Sequence, residues 1–151
     1  MAMPKSAAVG RVLMTFCTVG YGFLPPFVDL GRTHVQHPDW TPHSRMHMVW
    51  LLATNFGVSV LALYLLWLHS ARATLGVRLA GLLGVCVYGG FLLAAATAPL
   101  YGGSLSDRGG VPPLMGMDVN LLVFSLSLLI LLAGWYLAAR TGSAERGRLG
   151  E

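Results

Sequence analysis

Charged side chains are scarce in this sequence. Asp, Glu, Lys and Arg make up 11% of its 151 residues, and only six of those charged residues are acidic. Soluble globular domains carry about 25% charged residues, so this scarcity argues against a water-exposed fold. Hydrophobic residues reach 55% and the mean hydropathy is +0.65. The composition is typical of an integral membrane protein.

Cysteine is also nearly absent. Cys17 and Cys86 fall within apolar segments and form no CxxC motif, so the sequence predicts no disulfide framework. We expect both to act as small packing residues, with a single thiolate ligand as the alternative. Basic runs interleaved with aromatic residues are lacking, and we therefore expect no nucleic-acid partner.

Four apolar stretches dominate the chain, and a membrane-spanning helix needs about 20 such residues. The pattern predicts helices over about 8–27, 42–68, 76–100 and 118–139. Pro25 and Pro26 are expected to end the first helix. A cleaved signal peptide is the alternative for that segment, although further apolar segments follow it. We predict an all-α, four-helix transmembrane bundle over 1–140 and a disordered tail over 141–151.

Basic residues are distributed unevenly around these helices. Arg32, Arg45 and Arg108 lie in the two long loops. The remaining basic residues flank the opposite helix ends: Lys5, Arg11, Arg72, Arg78, Arg140, Arg146 and Arg148. The positive-inside rule then places both termini in the cytoplasm. We expect a multi-pass protein of the bacterial inner membrane, with the lipid bilayer as its surroundings.

Four of the five histidines lie close together, just before and within the second predicted helix: His34, His37, His43 and His47. Imidazole is the commonest protein ligand for transition metals and titrates near neutral pH. The cluster predicts a metal, haem or proton-transfer site on the outer side. An interfacial belt of polar and aromatic residues is the alternative.

Thr41-Pro42 is a helix-start signal, with Thr as N-cap and Pro at the first helical position. His43 and His47 then lie four residues apart on one helix face, with Cβ atoms about 5 to 6 Å apart. Trp50 and Thr54 continue this face and are candidate cofactor-binding residues.

Two polar residues of the later helices are further candidates for catalysis. Asp118 lies at the start of the fourth helix. Its carboxylate is placed to accept a hydrogen bond from an imidazole N–H or to bind a cation, and the alternative is a favourable interaction with the helix dipole alone. Tyr88 lies within the third helix, where a hydrogen bond between helices is the alternative role. The third helix also carries glycines that permit close helix approach and make a homo-oligomer plausible: Gly81, Gly84, Gly89 and Gly90.

The order of several short motifs resembles that of the small four-helix membrane proteins that include bacterial styrene oxide isomerase. These motifs are Leu13-Met14-x-Phe16-Cys17-Thr18, Trp40-x-x-His43-Ser44, Arg78-Leu79-x-Gly81 and Asp118. The resemblance implies a trimer with haem b between subunits, His43 as the axial ligand, and ferric iron acting as a Lewis acid on an epoxide.

The sequence departs from that family at two positions. Val49 stands where the family has a substrate-handling Asn, and the family's Tyr falls near Leu92, about one turn from Tyr88. The histidine run from His34 to His47 is more similar to another group of small four-helix membrane proteins, one without an assigned reaction.

Three hypotheses follow. The leading one is a haem or metal enzyme, with His43 as ligand and His47 as second ligand or proton donor, that isomerises a small lipophilic epoxide. The second is a copper or non-haem iron oxidoreductase that uses all four clustered histidines. The third is a non-catalytic membrane anchor or assembly subunit.

Overall fold

The computed structural model describes residues 3–32, 34–68, 73–106 and 111–149, with side chains at all of these except 73 and 141–149. Four α-helices occupy most of this part of the chain: α1 (Lys5–Asp29), α2 (Pro42–Trp67), α3 (Ala73–Thr97) and α4 (Val119–Leu149). A short 3-10 helix, Ala98–Leu100, follows α3. Arg72 and Arg108, used above for the orientation, lie outside the described residues.

The predicted all-α fold with four helices is confirmed. Four helical segments of the described chain are long and apolar enough to cross a membrane: Lys5–Asp29, Pro42–Trp67, Thr74–Leu100 and Val119–Arg140. The third of these includes the 3-10 helix that follows α3. A helix rises about 1.5 Å per residue, so segments of 22 to 27 residues match the roughly 30 Å hydrocarbon core of a bilayer.

The prediction that Pro25 and Pro26 end the first helix was wrong, because α1 continues through both to Asp29. Proline already has a helical φ angle, and the cost of a proline in a helix comes mainly from a lost hydrogen bond and ring crowding. Here both prolines lie near the C-terminal end, where packing against the neighbouring helix supports the backbone. Phe23 and Phe56 provide such a contact, with ring centroids 5.0 Å apart.

The end of α4 also differs from the sequence-based expectation. We predicted a disordered tail over 141–151, whereas the α4 backbone stays helical to Leu149. Extending an existing helix needs no new nucleus, so a polar segment can continue a helix that apolar residues have established. Residues 150 and 151 of the predicted tail lie outside the described part of the chain.

Chain neighbours are also neighbours in the bundle, and α1 packs against α4 to close the ring. The start of α1 meets α4 near the end of the apolar segment Val119–Arg140, where a Cβ on Gly10 would overlap the Gly134 carbonyl and the Ala138 amide. Arg11 near the start of α1 donates from Nη1 to the Leu66 carbonyl near the end of α2, at 2.6 Å. Successive helices therefore run antiparallel, and the start of α1 lies at the same bundle end as the closing turns of α2 and of the apolar segment of α4.

Small and polar residues join the helices in the middle of the bundle. Ser59 Oγ donates to the Thr18 carbonyl at 3.1 Å, and a Cβ on Gly22 would overlap the Ser59 side chain. The buried core comprises Met14, Cys17, Tyr21, Ala62, Leu66, Val77, Ala80, Tyr88, Leu131 and Ala138. Many large apolar side chains face outward instead, including Phe16, Leu93 and Leu129. Such a surface suits a hydrocarbon environment better than water.

Candidate functional site

The first turn of α2 begins as the sequence predicts. Thr41 is the N-cap, and its side chain accepts a hydrogen bond from the Ser44 amide at 3.2 Å. Pro42 occupies the first helical turn. A backbone N–H at that position would have no partner within the helix, so the N–H that proline lacks costs nothing there. This start places His43 and His47 on consecutive turns of the helix, at the bundle end away from the chain termini.

His43 and His47 contact each other directly. Their Nε2 atoms are 3.0 Å apart, and their ring centroids are 4.5 Å apart with the planes nearly perpendicular. Both side chains are exposed. A neutral imidazole has one N–H donor and one acceptor nitrogen, so which ring donates to the other depends on the tautomer of each.

The histidine pair opens into a cleft of about 1060 Å³ between the start of α2 and the turn after α3. Small-molecule sites commonly measure about 300 to 1,000 Å³, so this cleft is large enough for an organic ligand. Its lining residues are Asp39, Trp40, Thr41, His43, Ser44, His47, Met48, Leu51, Tyr101, Gly102 and Gly103. The imidazoles of His43 and His47 therefore line the same cleft as aromatic and aliphatic side chains.

Tyr101 is a site residue that the sequence analysis missed. Its hydroxyl donates to the Ala94 carbonyl at 2.7 Å, and Gly103 packs so closely on its ring that a Cβ there would overlap it. Gly102 has φ +69°, a conformation that favours glycine. The Tyr-Gly-Gly sequence directly after a helix was the available signal, because it indicates a tight turn that can return an aromatic ring to the bundle end.

Trp50 and Thr54 lie on exposed parts of α2, as expected for the face that continues from the histidines. The Trp50 ring is 63% exposed, and its centroid lies 5.8 Å from that of His47. Neither Trp50 nor Thr54 lines the cleft. Both side chains are exposed on the outside of the bundle instead.

His34 and His37 make other contacts. His34 Nδ1 lies 3.5 Å from Asp29 Oδ1, and its ring packs edge-on against Trp40. His37 Nδ1 accepts a hydrogen bond from the Asp39 amide at 3.2 Å. The loop is tethered to α2 because Arg45 Nη2 donates to the His37 carbonyl at 3.0 Å.

The structure does not bring the four histidines into one metal-binding group. Among the residues it describes, no three or more His, Cys, Asp or Glu side chains are arranged to hold one ion. Local contacts explain the separation, since Asp29 holds His34 and the Asp39 amide occupies one nitrogen of His37. The protein instead presents a histidine pair at the start of α2 and two separate histidines in the preceding loop.

Tyr88 and Asp118 do not line the cleft. Tyr88 is buried in the core, where its hydroxyl donates to the Cys17 carbonyl at 2.7 Å. Asp118 Oδ1 accepts from the amides of Asn120 at 2.8 Å and Leu121 at 3.3 Å. These are the contacts of a helix-joining tyrosine and of an N-terminal helix cap.

In comparisons with known proteins, the chain matches no family model, no curated protein and no solved structure.

Proposed function

We propose that this chain is a multi-pass protein of the bacterial inner membrane, with both termini in the cytoplasm and the histidine pair on the periplasmic side. The charge distribution supports this orientation. The carboxylates among the described side chains, Asp29, Asp39 and Asp118, lie at the histidine end of the bundle. Among the described basic side chains, Arg32 and Arg45 lie at that end, whereas Lys5, Arg11, Arg78 and Arg140 lie at the opposite end. The positive-inside rule expects such an excess at a cytoplasmic face.

We further propose that the protein is an enzyme that binds haem or another metal through His43 and acts on a small lipophilic substrate. The observation that carries this proposal is the pair of exposed imidazole nitrogens 3.0 Å apart at the mouth of a cleft. Its aromatic and aliphatic walls suit an apolar substrate that arrives from the bilayer. The sequence resemblance to styrene oxide isomerase names haem b as the leading cofactor and epoxide isomerisation as the leading reaction.

The donor set fits haem on one condition. His43 offers an accessible imidazole nitrogen, the usual axial ligand type, beside the apolar side chains of Met48 and Leu51. A flat macrocycle on His43 needs the space that His47 Nε2 fills. Because His47 is exposed, a change of its side-chain rotamer provides that space.

When bound, ferric haem would supply a Lewis acid for the epoxide oxygen. The protein's own side chains would do the remaining work. Trp40 and Tyr101 present aromatic rings to the cleft, and a ring face stabilises positive charge that develops on a neighbouring carbon. Leu51 and Met48 would place apolar surface beside the substrate, where water that converts the epoxide to a diol is less favoured. His47 would be the candidate proton donor or acceptor for the substrate oxygen.

A single copper or non-haem iron ion is the second candidate. With metal–nitrogen bonds of about 2.0 to 2.1 Å, two nitrogens on one ion are about 2.9 to 3.4 Å apart, depending on the coordination geometry. The Nε2 atoms, which are 3.0 Å apart and hydrogen-bonded to each other, are close enough to bind one ion if it replaces that hydrogen bond. Two histidines leave coordination positions for substrate or for residues of another subunit.

A homo-oligomer is part of the same proposal, with the trimer that the sequence resemblance implies as the leading assembly. The exposed side of α2 that carries Trp50 and Thr54 would meet a neighbouring copy beside the histidines. Such an arrangement would enclose the cleft and supply the ligands that one chain lacks.

The test is conversion of a lipophilic epoxide, such as an aryl-substituted one, by membranes containing the full-length protein. We expect an isomeric carbonyl product that disappears with His43→Ala and persists with His34→Ala, the matched control. Equal activity of the two variants would contradict the proposal, as would a diol as the sole product.

A further inference from the structure

A second surface feature lies at the bundle end that holds the chain termini, away from the histidines. It is a groove of about 480 Å³ between the start of α3 and the end of the transmembrane part of α4. Its lining residues are Arg78, Leu79, Leu82, Leu132, Trp135, Tyr136 and Ala139. We call this the α3/α4 groove.

The α3/α4 groove exists because Trp135 lies flat against a glycine. A Cβ on Gly81 would fall within 2.5 to 2.8 Å of three atoms of the Trp135 ring, so the absence of a side chain there lets the indole reach the α3 backbone. Leu82 and Leu132, which are 52% and 41% exposed, form the walls that face outward. The result is an open, mainly apolar groove between the two helices.

Cationic and aromatic side chains gather at the terminal end of the α3/α4 groove. Arg78 lines it, and the Arg140 guanidinium lies 4.6 Å from the centroid of the Tyr136 ring. Stacking uses the flat face of a guanidinium and leaves its in-plane N–H donors for hydrogen bonds to an oxyanion. Trp and Tyr are the residues enriched where hydrocarbon meets headgroups.

We propose that the α3/α4 groove is a binding site for one anionic phospholipid, with an acyl chain along Leu82 and Leu132 and the phosphate between Arg78 and Arg140. We choose an anionic lipid because its charge complements that of the two arginines. The described carboxylates all lie at the opposite end of the bundle, so no described acidic side chain competes for these arginines. Basic pockets between transmembrane helices on the cytoplasmic side are known to bind anionic headgroups.

This inference rests on the proposed membrane insertion and not on the proposed metal chemistry. Insertion is tested separately, by whether the full chain resists alkaline carbonate extraction from membranes. If the protein stays inserted but shows no preference for anionic lipid, only the lipid inference fails.

The experiment is native mass spectrometry of the full-length protein in detergent, titrated with phosphatidylglycerol or with phosphatidylcholine of the same acyl chains. We expect phosphatidylglycerol to bind more tightly. Replacing both arginines with glutamine, Arg78→Gln with Arg140→Gln, should weaken its binding about five-fold for each arginine lost. Lys5→Gln, which removes a charge at the same bundle end outside the groove, is the matched control and should leave binding unchanged.

A steric variant keeps the test decisive if the double variant fails to fold. Leu82→Trp fills the α3/α4 groove while keeping both arginines, and it should weaken the binding of both lipids alike.

A competition experiment separates lipid from free phosphate. Inorganic phosphate should not displace the bound phosphatidylglycerol. Equal affinity for the two lipids, equal loss with Lys5→Gln, displacement by phosphate, or crosslinking that places a second copy in the groove would each overturn the proposal.

Discussion

His43 and His47 bring their Nε2 atoms within 3.0 Å of each other on consecutive turns of α2. At this distance one ring donates a hydrogen bond to the other, and the donor depends on the tautomer of each ring. A metal ion bound by both nitrogens would take the place of that hydrogen bond. The proposed metal or haem site depends on this pair.

Substitution of His47 distinguishes the two candidate metal sites. If one ion is held by both nitrogens, His47→Ala removes a metal ligand. Loss of a residue that only supports a ligand lowers metal affinity about 10- to 100-fold, so we expect at least that decrease here. If haem is held by His43 alone, His47→Ala makes room for the macrocycle and haem content is retained. Metal and haem per chain in the purified variant measure the difference, with His34→Ala as control. If metal and haem content are unchanged in His47→Ala and also in His43→Ala, the haem site and the two-histidine metal site are both wrong.

Gly22 should be intolerant of a methyl group. A Cβ at this position would overlap Ser59, so Gly22→Ala must separate α1 from α2 or break the bond from Ser59 to the Thr18 carbonyl. Overpacking of this kind costs about 1 to 3 kcal/mol.

Gly57 provides the matched control, because a Cβ there meets nothing within 4 Å. Gly57→Ala should stabilise the helix by about 0.5 to 1 kcal/mol. Thermal unfolding of both variants in detergent tests the contrast. A Gly22→Ala protein that melts at or above the Gly57→Ala protein would show that the α1 and α2 packing is wrong.

Tyr88→Phe should affect stability rather than chemistry. It removes the hydrogen bond to the Cys17 carbonyl but keeps the ring contacts with Tyr21 and Phe124. The expected loss is about 0.5 to 1.5 kcal/mol, measured by thermal unfolding, with metal content unchanged. Tyr136→Phe on the exposed side of α4 is the control. Loss of epoxide turnover in a stable, metal-loaded Tyr88→Phe protein would instead assign Tyr88 a catalytic role.

Asp118 should act as a helix cap. Asp118→Ala leaves the Asn120 and Leu121 amides without their acceptor, at a cost of about 0.5 to 2 kcal/mol. Asp118→Asn keeps an oxygen acceptor and should retain most of that stability. Thermal unfolding separates the two variants. If both lose turnover equally while melting like the wild type, the carboxylate charge itself matters and the capping interpretation is insufficient.

Features set by local sequence were predictable. Hydropathy predicted four helices, and the Thr41-Pro42 signal predicted the start of α2. Once that start is fixed, helical geometry alone places His43 and His47 on one face.

Features set by long-range packing were not predictable. Tyr101 reaches the cleft from the end of α3, more than fifty residues after His43, through a glycine turn. The separation of His34 from the pair depends on its contact with Asp29, one of several partners that a flexible loop could offer. The passage of α1 through Pro25 and Pro26 likewise depends on support from a neighbouring helix that periodicity cannot show.

The most direct test of metal binding at this site is the visible spectrum and metal content of detergent-purified protein, wild type beside His43→Ala. We expect either a Soret band near one haem per chain, or copper or iron at a fixed ratio to protein, and loss of that signal in His43→Ala with helical content retained. A wild-type protein that stays colourless and metal-free after reconstitution with haem, copper and iron would contradict it, and would favour a role as a membrane anchor.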